Sequence, residues 1–303
     1  MRWIRDPERT DPCVLVLGMF DGVHRGHQAL LERGLETARR AGVPLTVCTF
    51  EPHPLEVLRP DIAPPRLTTP LERARRMAEC GADILCVCAF TRALADSEPA
   101  DFLDRMTAVF RPVHAICGYN FSFGRGGRGN GAMLAAYAAR HGFGADVIPA
   151  VEIAGEPVSS TRIRLLVQSG EVGEAARLRG DAYSIAGRVE HGRRIGHRLG
   201  FPTVNVAMPA HKVIPAYGVY CCGLTVGGTE YPAVVNVGRH PTLPGGHATI
   251  EAHALRALPE FYGEMARVRF LRFLRPERTF PDTDALKAQI ALDKARAAAF
   301  FGA

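Results

Sequence analysis

The chain of 303 residues has no long hydrophobic run and very little lysine. No apolar stretch reaches the roughly 18 residues that a membrane-spanning helix needs, and the first residues lack the apolar core of a signal peptide. We therefore expect a cytoplasmic protein without a membrane partner. The length and the hydrophobic share of 47% predict two globular domains with sizeable cores.

Two further absences narrow the class of protein. The eight cysteines include no Cys-x-x-Cys spacing, and most of them fall in apolar runs, so we expect reduced, buried thiols. Basic tracts interleaved with aromatic residues are also missing, although the net charge is +6. Lysine occurs only at Lys212, Lys287 and Lys294, and the arginines are dispersed. The charge therefore favours small anionic substrates over nucleic acid.

The most informative motif follows the apolar run at residues 14–17. Residues 18–27 read Gly-Met-Phe-Asp-Gly-Val-His-Arg-Gly-His, and residues 28–41 have the leucine spacing of a helix. His24 and His27 therefore lie at a helix start, where free N–H groups, the helix dipole and imidazole donors together favour a polyphosphate. An isolated His-x-x-His would equally fit a metal pair, but the strand, glycine turn and helix together favour phosphate.

Three later segments add polar residues after predicted strands or at a predicted helix start. They are Thr49-Phe50-Glu51-Pro52-His53-Pro54, Gly118-Tyr119-Asn120-Phe121-Ser122-Phe123-Gly124 and Val158-Ser159-Ser160-Thr161-Arg162-Ile163-Arg164. The prolines hold His53 in an extended loop. Ser160 and Thr161 suit a helix N-cap, near which Arg164 can bind phosphate oxygens. Each segment also has an ordinary structural interpretation, such as a turn for Asn120 or a capped helix with solvated arginines.

The pattern of predicted elements changes near residue 180. Strands and helices alternate before that point, which predicts a parallel, Rossmann-like α/β domain over residues 1–180. Such sheets place ligands at the carboxyl ends of their strands. Short, glycine-punctuated strands then predict a small antiparallel β-barrel in residues 181–303. A C-terminal amphipathic helix is expected over 283–301, capped by Asp282 or Thr283. Its expected apolar face consists of Leu286, Ile290 and Ala297.

The second half contains two features that carry chemistry. Residues 196–205 read Gly-His-Arg-Leu-Gly-Phe-Pro-Thr-Val-Asn. A turn that presents the oxygens of Thr203 and Asn205 predicts a Mg²⁺-ATP site, because hard cations prefer oxygen ligands, although a strand-entry turn is the alternative. Glu251 in an apolar strand predicts a general base that activates or orients a primary hydroxyl. The alternative is an outward residue bonded to His253 or to a neighbouring arginine.

The first motif is similar to the His-x-Gly-His signature of nucleotidylyltransferases. The whole ordered set, with Asn-Val-Gly-Arg-His-Pro-Thr at 236–242 and Ile-Glu-Ala-His at 250–253, resembles the bacterial bifunctional riboflavin kinase and FAD synthetase family. The resemblance implies an FMN adenylyltransferase domain over 1–180 and a riboflavin kinase domain over 181–303. It also implies ATP, riboflavin, FMN and FAD as ligands and Mg²⁺ as cofactor. We expect a monomer or weak homo-oligomer.

The same resemblance implies roles for individual residues. Catalytic roles fall to Glu251 in the kinase and to His24, His27 and Arg164 in the adenylyltransferase. The implied nucleotide contacts are Gly18, Phe20, Asp21, Gly26, His27, Ser160, Thr161, Arg164, Thr203 and Asn205. The implied flavin contacts are Phe50, His53, Asn120 and Phe121. The implied metal ligands are Thr203 and Asn205.

Three departures from the family pattern fall in or beside the predicted kinase domain. His197, His240 and Asp181 stand where the family has arginine, and each change removes a permanent positive charge. An adenylyltransferase with a weak or inactive kinase-like barrel therefore stays open as the alternative. A different cytidylyl- or adenylyltransferase and a flavin-binding protein without turnover are two further alternatives.

Overall fold

The computed structural model describes residues 1–190, 203–239, 248–256, 258–259 and 261–302. Contacts divide the chain into two compact units, Met1–Ser160 and Thr161–Ala303. This division falls earlier than the boundary predicted after residue 180, which stays a prediction about the functional domains. Among the helices described here, none is both long and apolar enough to cross a membrane.

The first unit is built on a six-stranded parallel sheet in the order β1-β4-β3-β2-β5-β8. The strands of this unit are β1 (Arg2–Arg5), β2 (Cys13–Leu17), β3 (Leu45–Glu51), β4 (Ile84–Ala89), β5 (Pro112–Gly118), β6 (Ser122–Phe123), β7 (Gly129–Asn130), β8 (Gly144–Ile148), β9 (Glu152–Ile153) and β10 (Glu156–Pro157). Its α-helices are α1 (Arg25–Ala41), α2 (Pro54–Leu58), α3 (Pro70–Glu79), α4 (Arg92–Ala95), α5 (Pro99–Phe110) and α6 (Gly131–Arg140). The predicted Rossmann-like α/β architecture is confirmed.

The side chains of strand β2 pack into the hydrophobic cores on both faces of the sheet. Val14 and Val16 belong to the core cluster on one side, and Leu15 and Leu17 belong to the cluster on the other. Helices cover both faces of such a sheet, so its central strands are continuous apolar runs. The strand order reverses at β2, because β3 pairs with one edge and β5 with the other. The loops that follow these three strands therefore begin side by side, where such sheets bind ligands.

The second unit contains a closed antiparallel barrel in the order β11-β12-β15-β14-β13-β16. Two helices precede it, α7 (Ser160–Gln168) and α8 (Val172–Arg179); α7 begins at the last residue of the first unit. The barrel strands are β11 (Ser184–Glu190), β12 (Val204–Val206), β13 (Gly218–Val226), β14 (Thr229–Arg239), β15 (Ala248–Ala254) and β16 (Met265–Pro276), and α9 (Thr283–Phe301) follows. The predicted barrel and C-terminal helix are confirmed.

Helix α9 packs on the outside of the barrel through a face that differs from the predicted one. Asp282 caps the helix, accepting a hydrogen bond from the backbone N–H of Ala285 at 2.8 Å. The buried residues of α9 are Gln289, Asp293 and Ala297. Ala297, which was predicted to lie on the apolar face, packs with residues of β13 and β14. The other two predicted residues of that face, Leu286 and Ile290, are only half-buried. The buried face is mostly polar because it contacts Arg275 of β16 and Arg278, which follows that strand.

Candidate active sites

The turn between β2 and α1 has a strained backbone. Phe20 has a φ of 55° and Val23 a φ of 39°, in the left-handed region that residues other than glycine rarely adopt. Gly22 lies between them with a φ of 86°. The side chains of Phe20 and Val23 are fully buried, so the surrounding core maintains this conformation. Strain maintained by packing is typical of functional sites.

The carboxylate of Asp21 holds this turn in place. It accepts hydrogen bonds from the backbone N–H groups of Leu67 and Thr68 and from the Thr68 hydroxyl, all at 3.0 Å. The Thr68 hydroxyl accepts a further bond from the backbone N–H of Gly22 at 3.0 Å. Asp21 is 2% exposed. Its carboxylate therefore orders the turn, while its predicted contact with a nucleotide stays a prediction.

His24 is the N-cap of α1, and its ring explains the spacing of the motif. Its Nδ1 accepts a hydrogen bond from the backbone N–H of His27 at 3.4 Å, which assigns the proton of the neutral ring to Nε2. The two imidazoles stack with centroids 3.7 Å apart. A Cβ at Gly26 would lie 3.2 Å from two atoms of the His24 ring. Glycine at this position therefore leaves room for the cap and the stack.

The environment of His27 favours a neutral imidazole. Its ring also contacts Phe20, with centroids 5.0 Å apart. Its Nδ1 is fully enclosed and makes no hydrogen bond within the described part of the chain. This enclosure lowers the pKa of His27 well below its ordinary value, and the neighbouring His24 and Arg73 lower that pKa further. A neutral imidazole retains one N–H that can donate to a phosphate oxygen.

The start of α7 contacts the same turn. The Ser160 hydroxyl donates a hydrogen bond to the backbone carbonyl of Asp21 at 2.8 Å. The structure therefore brings Ser160 together with the histidine motif, although 139 positions separate Ser160 from Asp21. Thr161 and Arg164 follow on α7 in the second unit, where Thr161 is exposed and Arg164 is buried.

The four predicted flavin residues differ in exposure. Phe50 is 6% exposed in the core of the first unit, where its ring contacts two other phenylalanines. His53 is the N-cap of α2, and its Nδ1 accepts from the backbone N–H of Leu55 at 3.1 Å. Phe121 is half-buried and Asn120 is exposed. Phe121 and Asn120 are therefore better placed than Phe50 to contact a ligand directly, and all four roles stay predictions.

In the barrel, Glu251 lies between two asparagines. The register of the strands pairs Glu251 of β15 with Asn205 of β12 and with Asn236 of β14. Directly opposed residues project from the same side of a sheet. Their neighbours Val206, Ile250 and Val237 are buried, so the three polar side chains form one half-buried row on the outer face. Asn236 lies in the motif at 236–242, but no role in the site was predicted for it from the sequence, because its pairing with Glu251 depends on the register of the strands.

The oxygen atoms of this row, together with that of the nearby Thr203, fit a hard cation. Asn205, Glu251 and the nearby Thr203 offer amide, carboxylate and hydroxyl oxygens, which are the ligands that Mg²⁺ prefers. Within the described ranges, no group of three or more His, Cys, Asp or Glu side chains is arranged to hold a metal ion. The predicted turn at 196–202, with His197, and the substituted His240 lie outside the described residues.

The end of β16 is joined to α9 by a partly buried polar network. Arg275 donates to both carboxylate oxygens of Asp293, at distances from 2.8 to 3.2 Å. Gln289 donates to Asp293 at 2.8 Å and accepts a hydrogen bond from Arg278. Nearby, a Cβ at Gly238 would meet both the Glu277 carboxylate and the Asn236 amide. The Glu277 carboxylate and the Asn236 amide of the polar row therefore both lie beside Gly238.

Asp181, one of the three departures, has an ion pair of its own. Its carboxylate lies 3.5 Å from the guanidinium of Arg179, whose side chain is 3% exposed. Arg179 also donates to the carbonyl of Ala182 at 2.9 Å. The charge at Asp181 is therefore compensated locally, just before the first strand of the barrel.

Known proteins match this chain over almost its whole length. The family model described as FAD synthetase matches residues 6–162, and the model described as riboflavin kinase matches residues 179–301. The bifunctional riboflavin kinase/FMN adenylyltransferase of Escherichia coli (strain K12) is 38% identical over 293 residues, which are 96% of this chain and 93% of that protein. The protein of that name from Listeria monocytogenes is 35% identical over 290 residues, which are 95% of this chain and 92% of that protein. A crystal structure titled macrolide-efflux protein, from Streptococcus pneumoniae, superposes with a TM-score of 0.89 at 29% identity, over 97% of this chain and 98% of that one.

Proposed function

This chain belongs to the family of bifunctional riboflavin kinase/FMN adenylyltransferases, and we propose that the barrel carries its kinase activity and the parallel sheet its adenylyltransferase activity. The protein phosphorylates riboflavin with ATP to give FMN, and then transfers AMP from a second ATP to FMN, releasing pyrophosphate and FAD. The matches to both family models favour two activities over an adenylyltransferase with a silent barrel.

In the adenylyl transfer, a phosphate oxygen of FMN attacks the α-phosphorus of ATP. A new P–O bond forms, the bond from the α-phosphorus to the oxygen shared with the β-phosphate breaks, and pyrophosphate leaves. No protein nucleophile is required. His24 and His27 stabilise negative charge on the triphosphate and the leaving pyrophosphate, which is the usual source of rate in such reactions. The observation that supports this assignment is the stacked imidazole pair at the start of α1.

The variant His27→Ala tests that assignment. We expect FAD formation from FMN to fall by roughly 100- to 1,000-fold, as when one charge-stabilising donor is removed, while FMN formation from riboflavin continues. His141→Ala is the matched control, because His141 also stacks on an aromatic ring, that of Tyr137. Equal loss of both activities in the His27 variant would contradict separate sites.

In the kinase reaction, a ribityl hydroxyl oxygen of riboflavin attacks the γ-phosphorus of ATP, and ADP leaves. Glu251 orients this hydroxyl or accepts its proton, as a positioned carboxylate can. Asn236 flanks Glu251 on one side and orients its carboxylate, while Thr203 and Asn205 hold Mg²⁺-ATP on the other. Bound Mg²⁺ would neutralise charge on the phosphates of ATP. The support is the register that aligns these side chains in one row.

Chromatography of the flavins formed in two separate tubes tests the whole proposal. One tube contains the protein, Mg²⁺-ATP and riboflavin, and the other contains FMN in place of riboflavin. We expect FAD from both. FAD from FMN alone would revive the adenylyltransferase-only alternative, and FAD from neither would refute the proposal. Cytoplasmic location and the monomeric or weakly associated state stay predictions, tested by cell fractionation and light scattering.

A further inference from the structure

Arg73 of α3 lies beneath the turn after β2, in the first unit. Its side chain is 2% exposed, although arginine is rarely buried so completely. Two neighbours on the buried face of the same helix, Ala74 and Met77, are apolar. No sequence motif singled this residue out. A buried guanidinium at this position therefore needs an explanation from its contacts.

The contacts of Arg73 join two loops that follow adjacent strands. Its guanidinium donates to the backbone carbonyl of Met19, at 3.4 Å, in the turn after β2. It also donates to the carboxylate of Glu51, the last residue of β3. The hydroxyl of Thr49 in β3 donates to the same Met19 carbonyl at 3.1 Å. The turn that leads to the histidines and the loop that leads to His53 thus share one anchor.

The Arg73 guanidinium does not use all of its hydrogen-bond donors within the described residues, which argues against a purely structural role. The Nε of Arg73 is fully enclosed and has no hydrogen-bond partner in the described part of the chain. Leaving a buried donor of a charged group unpaired opposes folding. Replacing a buried ion pair by apolar residues of similar volume is often neutral or stabilising. A function at this place offers a reason for retaining the pair.

We infer that Arg73 is a positioning residue of the adenylyl-transfer site, which fixes the turn after β2 against the end of β3 and places a permanent positive charge beside His27. The inference rests on the proposed function of the first unit. Arg73 touches no reacting group; it acts through His27 and through the shape of the turn.

The charges around His27 determine the sign of the expected effect. His24, from the start of α1, and Arg73, from α3, both oppose protonation of His27. Burial lowers the pKa of Arg73 itself; Glu51 and Asp21 raise that pKa, and Arg66 lowers it further. Removing the charge of Arg73 therefore raises the pKa of His27 toward its ordinary value. Retaining the charge on a different side chain leaves that pKa low.

The experiment compares Arg73→Gln with Arg73→Lys in the full-length protein. Glutamine keeps hydrogen-bonding capacity without charge, whereas lysine keeps the charge without the planar fork. We follow the ¹⁵N imidazole signals of His27, assigned by their loss in His27→Gln, from pH 4 to pH 8. We expect the pKa of His27 to rise toward its ordinary value in the glutamine variant and to stay low in the lysine variant.

Activity supplies the second readout. We assign activity to the neutral ring, whose remaining N–H donates to a phosphate oxygen. The acid limb of FAD formation from FMN then moves to higher pH in Arg73→Gln by the same shift, and stays in place in Arg73→Lys. Riboflavin phosphorylation by the same samples verifies that each protein is folded. Arg179→Gln, which removes an equally buried arginine from the other unit, is the matched control and leaves the His27 signals unchanged.

The inference is overturned if the pKa of His27 is the same in both Arg73 variants and both lose FAD formation equally at every pH. That pattern would reduce Arg73 to a structural residue. Absence of FAD formation in the unmodified protein would instead contradict the proposed function, while the imidazole signals would still report on the charge of Arg73. The two failures are therefore distinguishable.

Discussion

Replacing Gly26 with alanine separates the stability of the first unit from the placement of its histidines. The new Cβ would lie 3.2 Å from both Cε1 and Nδ1 of His24 and 3.7 Å from the carbonyl oxygen of Val158. Ordinary van der Waals contacts of a Cβ are 3.4–4 Å. The His24 ring must therefore move by a few tenths of an ångström. That movement disturbs both its cap on α1 and its stack on His27.

Two opposing terms keep the change in stability small. Alanine is favoured over glycine in a helix by up to about 1 kcal/mol, and a weakened N-cap costs about 0.5–2 kcal/mol. We expect a net change within about 1 kcal/mol, which for a chain of this size shifts Tm by a few degrees at most. Activity is more sensitive, because a 1 Å misplacement at a reacting site can reduce the rate about 100-fold. A shift of a few tenths then reduces FAD formation roughly tenfold.

The assay measures FAD formation from FMN, FMN formation from riboflavin and thermal unfolding on the same samples. Gly173→Ala is the matched control: Gly173 is also the second residue of a helix, α8, and nothing lies within 4 Å of its would-be Cβ. We expect the control to keep both activities. Full FAD formation in the Gly26 variant, with the kinase unchanged, would refute the assignment of a rate-determining position to His24.

Two further changes test other parts of the structure. Glu251→Gln should abolish FMN formation from riboflavin and spare FAD formation from FMN. The control Glu230→Gln, at a residue of the same barrel that pairs with Arg269 at 2.7 Å, should spare both. Loss of FAD formation in the Glu251 variant would contradict its role. In the first unit, burial alone would raise the pKa of Asp146, but the hydrogen bond from Arg33 and the proximity of His114 outweigh it and lower that pKa. The ionised Asp146 carboxylate therefore stabilises the fold fully above its unfolded pKa, near 4, and this stabilisation is lost as the pH falls through its folded pKa. In denaturant titrations, Asp146→Asn should lower the free energy of unfolding at pH 7 and bring it close to that of the unmodified protein near pH 3. An equal difference in the free energy of unfolding at both pH values would contradict the linkage.

The part of the fold that depends on local signals was predictable. An apolar run, a glycine turn and a capped helix lie next to one another in the sequence, so the local sequence alone predicted the strand, turn and helix around the histidine motif. Arg73 was not predictable in this way, because Arg75 and Arg76 lie beside it in the same helix. Only the packing of α3 buries Arg73, whereas the side chain of Arg75 is 63% exposed.

Predicted roles were least secure where tertiary packing determines exposure. Phe50 was assigned to the flavin from its place in a motif, yet its ring belongs to the core. The buried face of α9 also depends on tertiary packing. Helical periodicity indicated an apolar face, but the helix buries Gln289 and Asp293 because Arg275 of β16 and Arg278, just after that strand, bond to them. Burial of a polar side chain depends on a partner from another element, which periodicity does not report.

Both candidate sites have beside them an arginine–carboxylate pair with one fully buried partner, and this similarity has a physical reason. Arg73 joins α3 to the end of β3, and Arg275 of β16 joins the barrel to Asp293 of α9. Desolvation offsets most of the attraction within such pairs, so they add little net stability. Their directional hydrogen bonds instead fix where a helix lies against a strand end. Phosphoryl transfer depends on the placement of charged groups rather than on covalent chemistry by the protein. An arginine–carboxylate pair that fixes a helix against a strand end, while adding little net stability, therefore suits both reactions.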